Sequence, residues 1–288
     1  MERSVVFGRI ERLRPAWKPE AVRHPVKNPY HPLANLFADP AHIILARLLV
    51  KMFGSFVAKS YFNVLPRGAY AYGLLRAVEL AEFLGINCFT AAEFGVASGR
   101  GLDCLCRYRE KVQSSTGMTI DVMGFDTGSG MPAIDLWEDH PEMWQQGDYP
   151  ATVDLKKTFE NRATIFLGDL ARDPVPPPKY PILFASVDVD SYSSSRAVLN
   201  YVQQQARQFC SVYFDDIEFS TASEYRGQLL AIKEFNEGHP EHRCFVMPDR
   251  MLPSGRLIRY AVWYKHMYIF QRAPAEEAMR KAFLRQSS

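Results

Sequence analysis

The sequence lacks the long apolar segments of a membrane protein. It begins Met-Glu-Arg-Ser, without the apolar core of a signal peptide. Its longest apolar stretch, residues 43–57, is interrupted by Arg47 and Lys51 and is too short to cross a bilayer. We therefore expect no membrane span, no signal peptide and a cytoplasmic protein.

Net charge and cysteine are also scarce. The formal net charge of the 288 residues is +2, which argues against a dedicated nucleic-acid binder. The five cysteines are an odd number and lack the spacing of zinc ligands, so reduced thiols are expected. Hydrophobic residues make up 47% of the chain, enough for one large α/β domain with an appendage or for two small domains.

The N-terminal region differs in composition from the rest of the chain. Prolines at positions 15, 19, 25, 29, 32 and 40 exclude a long helix there. Residues 41–59 are predicted to form an apolar helix with basic interruptions. We group residues 1–64 as an arm and helix, a candidate lid or homodimer contact, with binding to a membrane surface as an alternative for the helix. Residues 65–288 form the predicted main domain.

Strand and helix patterns alternate from about residue 70 onward. The predicted strands are residues 88–94, 119–125, 163–167, 182–188 and 210–214. The predicted helices are residues 70–83, 101–112, 151–161, 193–207 and 223–236. Three late strands, residues 243–247, 257–264 and 267–271, follow without long helices between them. This order predicts a doubly wound, mostly parallel α/β sheet of seven strands with an antiparallel C-terminal edge.

A glycine-rich turn follows the first predicted strand. Residues 92–101 read Ala-Glu-Phe-Gly-Val-Ala-Ser-Gly-Arg-Gly, which is neither a dinucleotide fingerprint nor a phosphate loop. Glycine lets the backbone approach a ligand closely, and the following helix presents unpaired N–H groups. Because Glu93 would repel a pyrophosphate, a nucleoside that carries an amino-acid end and no phosphate fits better. S-adenosylmethionine is such a ligand.

Acidic residues follow every one of the five main strands. Ligands of open parallel sheets bind beyond the carboxyl ends of the strands, so these acids are expected to line one crevice. Asp126, at the end of the second strand, is placed to bind the two hydroxyls of a ribose. The acids at the five strand ends are Glu93, Asp126, Asp169, Asp188 with Asp190, and Asp215 with Asp216.

The acids of the fourth and fifth strands predict a cation site. Asp188 and Asp190 are two residues apart and point the same way, and neighbouring strands lie ~4.8 Å apart. Asp215 or Asp216 can therefore approach them, and such carboxylates would repel one another without a cation. Oxygen ligands select Mg²⁺ or another hard divalent cation. The alternative is that Asp190 and Asp216 cap the helices that follow them.

These motifs together resemble a known family. The motifs Glu-Phe-Gly-Val-x-x-Gly (93–99), Phe-Asp-x-x-x-Gly-Met-Pro (125–132), Asp-x-Asp-x-Tyr (188–192) and Asp-Asp (215–216) resemble those of class I S-adenosylmethionine-dependent methyltransferases. They look most like the macrocin O-methyltransferase family, although Val189 stands where that family usually has glycine. The resemblance covers roughly residues 65–240 and implies a Rossmann-like methyltransferase fold. The cofactor contacts assigned on this basis are Glu93, Gly95, Ala97, Gly99, Asp126, Gly168 and Asp169, and the metal ligands are Asp188, Asp215 and Asp216.

The resemblance implies methylation of a hydroxyl on a small-molecule acceptor such as a sugar or natural product. Asp188 and Asp190 are the candidate catalytic residues, with Asp190 a second metal ligand or proton acceptor. His140 and His266 are weaker candidates for a base, and residues 133–150 are a candidate lid. Two alternatives remain at this point: a metal-dependent glycosyltransferase that uses the Asp-Val-Asp motif of residues 188–190, and a non-catalytic partner protein that keeps the methyltransferase fold.

Overall fold

A computed structural model describes residues 41–217, 223–247 and 262–273. In these ranges the helices are α1 (Ala41–Phe53), α2 (Phe56–Tyr61), α3 (Gly68–Phe83), α4 (Arg100–Thr116), α5 (Leu155–Thr158), α6 (Tyr192–Gln205) and α7 (Gly227–Gly238). The strands are β1 (Cys88–Phe94), β2 (Thr119–Asp126), β3 (Thr164–Leu167), β4 (Ile182–Val187), β5 (Ala206–Phe214), β6 (His242–Val246) and β7 (Met267–Arg272).

The strands form one seven-stranded sheet in the order β3-β2-β1-β4-β5-β7-β6. Strands β1 to β5 are parallel, whereas β7 pairs antiparallel with both β5 and β6. The predicted α/β class, with a mostly parallel sheet and an antiparallel C-terminal strand, is confirmed. Strand order reverses between β1 and β4, which is where an open α/β sheet forms a ligand crevice.

Helices cover both faces of the sheet. On one face α3 and α4 bury Tyr70, Leu74 and Leu102 against the strands. On the other face α6 and α7 bury residues such as Val198 and Phe235. Every residue of β4 is buried, as expected for a central parallel strand with helices on both sides. This double packing fixes the carboxyl ends of β1 and β4 side by side.

Some predicted boundaries are wrong. The single helix expected over residues 41–59 is broken at Gly54, because Ser55 starts a new helix by accepting a hydrogen bond from the Ala58 amide at 3.2 Å. The helix expected over residues 151–161 is the single turn α5, which begins only after the N-cap Asp154.

The strand predicted at residues 257–264 is also wrong over the part of it that the structure describes. Residues 257–261 lie outside the described ranges, and Val262–His266 forms a 3₁₀ helix. Residues three apart share a face of a 3₁₀ helix, so Trp263 and His266 lie on the same side of this turn. Trp263 donates to Asn63 Oδ1, and His266 Nδ1 lies 2.8 Å from the carbonyl of Phe214 at the end of β5.

The proline-rich arm of residues 1–40 lies outside the described ranges, and its predicted role as a lid or homodimer contact stays a prediction. Within those ranges, helix α1 contacts the rest of the chain through Arg47, whose guanidinium donates to the Asn63 carbonyl at 3.2 Å. None of the described helices has both the length and the apolar composition needed to span a membrane.

Candidate functional site

The glycine turn lies where β1 and β4 end side by side. Gly95 has φ +87°, and a Cβ atom there would lie 1.7 Å from the carbonyl oxygen of Asp188. The Asp188 amide in turn donates to the Phe94 carbonyl at 2.8 Å. Only glycine combines the left-handed backbone with this close approach of two chain segments. Gly95 therefore determines how tightly the turn closes against the acids of β4.

Asp126 organises the turn through its carboxylate. Its Oδ2 atom accepts hydrogen bonds from the amides of Val96 at 2.9 Å and Ala97 at 2.8 Å. Its Oδ1 atom accepts from the Gly128 amide at 2.6 Å. A carboxylate offers about four lone-pair sites, so acceptor capacity remains for a ligand hydroxyl. Sequence reasoning assigned Asp126 to a ligand and missed its bonds to the turn.

A cavity of about 420 Å³ opens beyond these strand ends. It brings together most of the residues singled out from the sequence, whereas Glu93 and Gly99 do not line it. Trp144, Asp148 and Tyr149 of the candidate lid segment also line it. The predicted residues on its wall are Gly95, Ala97, Asp126, Gly168, Asp169, Asp188, Asp190, Asp215 and Asp216.

Glu93 points toward α3 and away from the cavity. Its side chain is buried, and its Oε1 atom accepts a hydrogen bond from the Tyr70 hydroxyl at 2.7 Å. Its Oε2 atom has no hydrogen-bond partner among the described residues. Burial raises the pKa of Glu93 to about 8, against the opposing effects of Tyr70 and Arg67. The predicted cofactor contacts of Glu93 and Gly99 stay predictions.

Three carboxylates converge at the ends of β4 and β5. Asp188, Asp215 and Asp216 each offer an oxygen within 4.8 Å of the others. Burial, followed by the charges of Asp215 and Asp190, raises the pKa of Asp188 well above its usual range. Burial, followed by the charges of Asp190, Asp188 and Asp215, raises the pKa of Asp216 well above its usual range. Because all the donors are oxygens and their charges repel, the cluster fits a hard divalent cation.

Asp190 lies beside this cluster, outside the set of three. Its backbone is left-handed, with φ +59°, and its amide donates to Asp216 Oδ2 at 3.3 Å. Burial and the charges of Asp215 and Asp148 raise the pKa of Asp190 to about 7. A carboxyl group with that pKa can exchange a proton near neutral pH.

The capping alternative for these acids is wrong. The N-cap of α6 is Ser191, whose hydroxyl accepts from the Ser194 amide at 3.2 Å. The N-cap of α7 is Arg226, and no side chain caps that helix. Neither Asp190 nor Asp216 therefore serves as the helix cap that sequence reasoning allowed.

Two residues that hold the acids in place were missed in the sequence. The Tyr213 hydroxyl donates to Asp215 Oδ1 at 2.5 Å. The buried Gln228 accepts from the Asp216 amide at 3.1 Å and donates to Asp216 Oδ2 at 3.4 Å. Tyr213 lies on β5 two positions before Asp215, which directly follows the strand, and this spacing could have indicated a shared face. Gln228 carries no comparable signal.

The histidines proposed as weaker bases do not line the cavity. The His140 Nδ1 atom lies 3.2 Å from Glu142 Oε1, inside the candidate lid segment. The His266 Nδ1 atom lies 2.8 Å from the Phe214 carbonyl, and its ring stacks on Tyr213. His266 therefore lies behind Tyr213 rather than beside the acids.

Arg226, the N-cap residue of α7, binds the candidate lid segment. Its guanidinium forms two 2.5 Å hydrogen bonds with Glu142 and covers the ring of Trp137 at 4.4 Å. Burial alone would raise the pKa of Glu142, but the hydrogen bonds from His140 and Arg226 lower it to about 2. This pair connects the cavity wall to the helix that carries Gln228.

Replacing Arg226 with alanine is expected to lower the free energy of unfolding by roughly 2 kcal/mol, because a partly buried carboxylate loses its partner. Since the pKa of Glu142 is lower in the folded protein, the wild type keeps this contribution above pH 4.5 and loses it as the pH falls toward 2. Urea unfolding at several pH values measures both effects. Arg107→Ala, which breaks an exposed pair with Asp103, is the control and should cost far less. Equal losses in the two variants would contradict the role given to Arg226.

Comparison with solved structures places this fold beside methyltransferases. The O-methyltransferase NovP is 13% identical, with a TM-score of 0.50 over 81% of this chain and 98% of NovP. The calicheamicin methyltransferase CalS11 is 18% identical, with a TM-score of 0.48 over 83% of this chain and 89% of CalS11. No protein-family model matches the sequence. A search of curated proteins finds no match either. At these identities the likeness concerns the fold alone, and the seven-stranded α/β fold of this chain is similar to the fold of NovP.

Proposed function

We propose that this protein is an S-adenosylmethionine-dependent methyltransferase that methylates a hydroxyl group of a small molecule, such as a sugar or natural product, with the help of Mg²⁺ or another divalent cation. One observation carries the proposal. A single cavity is lined by Gly95 and Ala97 of the glycine turn, by Asp126 and by the three acids of the carboxylate cluster. A fold like that of an O-methyltransferase supports it.

The cofactor half of the site is assigned to the turn and the neighbouring strand ends. Gly95 and Ala97 let the backbone approach a ligand, and Asp126 keeps acceptor capacity for a ribose hydroxyl. Trp144 lies in the wall, and its indole N–H has no hydrogen-bond partner among the described residues. Gly168 and Asp169 line the same wall at the expected place for adenine. When bound, S-adenosylmethionine supplies an electrophilic methyl group.

The acceptor half is assigned to the acids. Asp188, Asp215 and Asp216 would hold the cation, which when bound lowers the pKa of a hydroxyl beside it. Asp190, with a pKa of about 7, is the candidate group to receive the proton of that hydroxyl. The Asp190 carboxylate would accept the hydroxyl proton, and bound S-adenosylmethionine would supply the methyl group to that oxygen and leave as S-adenosylhomocysteine. Alignment of the two reactants contributes ~7–11 kcal/mol in well-oriented reactions.

Methyl transfer in the presence and absence of a chelator tests this proposal. EDTA is expected to reduce transfer of a labelled methyl group to a panel of hydroxylated acceptors by roughly 100-fold, because a Lewis acid contributes several kcal/mol. Binding of S-adenosylhomocysteine, measured by calorimetry, should persist in EDTA because the cofactor contacts assigned to the turn and Asp126 do not include the cation. Full transfer in EDTA would remove the cation from the proposal.

The glycosyltransferase alternative receives no support from the turn. A diphosphate needs free backbone amides, but the Val96 and Ala97 amides already donate to Asp126. Thermal stabilisation by UDP-sugars and not by S-adenosylhomocysteine would favour the glycosyltransferase over the methyltransferase. A protein that binds neither compound would match the non-catalytic partner.

A further inference from the structure

A second cavity lies at the N-terminal end of α3. Its volume is about 320 Å³, within the size range of sites for small molecules. Arg67, Tyr70, Tyr213 and Trp263 line it. None of these residues lines the cavity assigned to S-adenosylmethionine.

The two tyrosines connect this second cavity to the acids. The Tyr213 hydroxyl donates to Asp215, which lines the main cavity. The Tyr70 hydroxyl donates to Glu93. The rings of Tyr70 and Tyr213 meet edge to face, with centroids 6.1 Å apart. A molecule on these rings would therefore lie next to Asp215 of the carboxylate cluster and next to Glu93.

Arg67 brings a positive charge with spare hydrogen-bonding capacity. Arg67 is exposed, and toward the described residues its side chain donates one hydrogen bond, from Nη1 to the Tyr70 hydroxyl at 3.4 Å, while its guanidinium lies 5.3 Å from the centre of the Tyr70 ring. No ion pair joins it to a carboxylate of the described residues. A guanidinium has five N–H donors in a fork that matches a carboxylate or a phosphate. Arg67 can therefore hold an anionic group at the cavity without giving up a partner.

The aromatic wall of the cavity is held rigidly. The Trp263 indole N–H donates to Asn63 Oδ1 at 3.1 Å, and its ring packs on Tyr72 with centroids 5.7 Å apart. A Cβ atom at Gly68 would lie 2.5 Å from that Asn63 oxygen, so glycine leaves room for this bond. Rigid aromatic faces at a cavity favour flat or ring-shaped ligands.

We propose that the second cavity binds the methyl acceptor, and that this acceptor is a small ring compound carrying both a carboxylate or phosphate and a free hydroxyl. The anionic group pairs with Arg67, the ring lies against Tyr70, Tyr213 and Trp263, and the hydroxyl is directed along Tyr213 toward Asp215, which lines the main cavity. This assignment rests on the proposed methyltransferase function and adds the chemical class of its acceptor.

Calorimetry with matched pairs of probes tests the proposal without requiring turnover. Protocatechuate is compared with catechol for the carboxylate, and glucose 6-phosphate with glucose for the phosphate. At least one charged probe should bind the wild type roughly tenfold more tightly than its neutral partner, because charge-assisted hydrogen bonds supply the difference. The pair that shows this difference identifies the anionic group. Arg67→Gln should abolish the difference, and Arg67→Lys should restore part of it.

Two further measurements separate this inference from the proposed function. Arg76→Gln removes the same charge from α3, where Arg76 pairs with Glu79 outside both cavities, and should keep the preference for the charged probe. S-adenosylhomocysteine should bind Arg67→Gln as it binds the wild type, which also shows that the variant is folded. If neither charged probe is preferred, or if Arg67→Gln keeps the preference, the acceptor assignment is overturned. If S-adenosylhomocysteine fails to bind the wild type, the proposed function is overturned instead.

Discussion

Replacing Gly95 with alanine is expected to cost about 3–5 kcal/mol of unfolding free energy, because left-handed strain and steric overlap add together. The new Cβ atom would lie 1.7 Å from the Asp188 carbonyl oxygen, and backbone on both sides must move to avoid it. That movement separates the turn from the acids of β4, so S-adenosylhomocysteine binding should be lost as well. Urea unfolding and calorimetry measure the two effects.

Gly117 offers a matched control for this substitution. It also has a left-handed backbone, with φ +72°, but a Cβ atom there would meet nothing within 4 Å. Gly117→Ala should therefore cost only the conformational strain, about 1–2 kcal/mol, and leave ligand binding intact. If the two alanine variants were equally stable and bound S-adenosylhomocysteine equally well, the close approach of β1 and β4 at Gly95 would have no energetic importance.

Replacing Asp188 with asparagine is expected to have opposite effects on stability and activity. Without a metal, the variant removes one of three crowded carboxylates, so its Tm at about pH 8 should exceed that of the wild type by several degrees. Methyl transfer should fall roughly 100-fold or more, since a proposed cation ligand is lost. Thermal scans measure the change in Tm, and the transfer assay measures the loss of activity.

The sign of the pH dependence follows from the raised pKa of Asp188. The folded protein holds the proton of this carboxyl group at a pH where the unfolded chain has released it. The metal-free wild type should therefore lose stability as the pH rises above the usual carboxyl range. The advantage of the asparagine variant should disappear under acidic conditions, where both states are protonated. Mg²⁺ should stabilise the wild type and have little effect on the variant.

Asp121 supplies a control for this experiment. Burial also raises its pKa, but it lies on β2 away from both cavities. Asp121→Asn should leave methyl transfer and the response to Mg²⁺ unchanged. Full methyl transfer by Asp188→Asn, or an unchanged response to Mg²⁺ at about pH 8, would contradict the cation site.

The sheet and the gathering of acids were predictable because their signals are local. Apolar runs that end in an acid locate the carboxyl ends of β1, β2 and β4, and parallel pairing then brings Asp126 and Asp188 to one edge. Gly95 was recognisable because a glycine directly after a buried strand usually permits a close approach. These features depend on the residue itself and its immediate neighbours.

The contacts that complete the site were not predictable because they join residues that are far apart in the sequence. Gln228 reaches Asp216 from a helix twelve residues away, and Asp126 bonds to amides about thirty residues earlier. The sequence around a carboxylate at a strand end does not distinguish one that is free to bind a ligand from one that accepts hydrogen bonds from backbone amides. The length of α5 was misjudged because Asp154, which starts that helix late, is one of several polar residues that could have served as its cap.

The hydrogen bond between Asn63 and Trp263 joins residues 200 positions apart. During synthesis on the ribosome, Asp126 and Asp188 emerge long before Trp263 does, since chains grow at roughly 5–20 residues per second. A nascent chain can therefore contain the glycine turn and the first acids while one side of the second cavity is still missing. Strand β7 follows Trp263 closely and pairs with β5. The pairing of β7 and the completion of the second cavity by Trp263 therefore belong to the same late stage of synthesis.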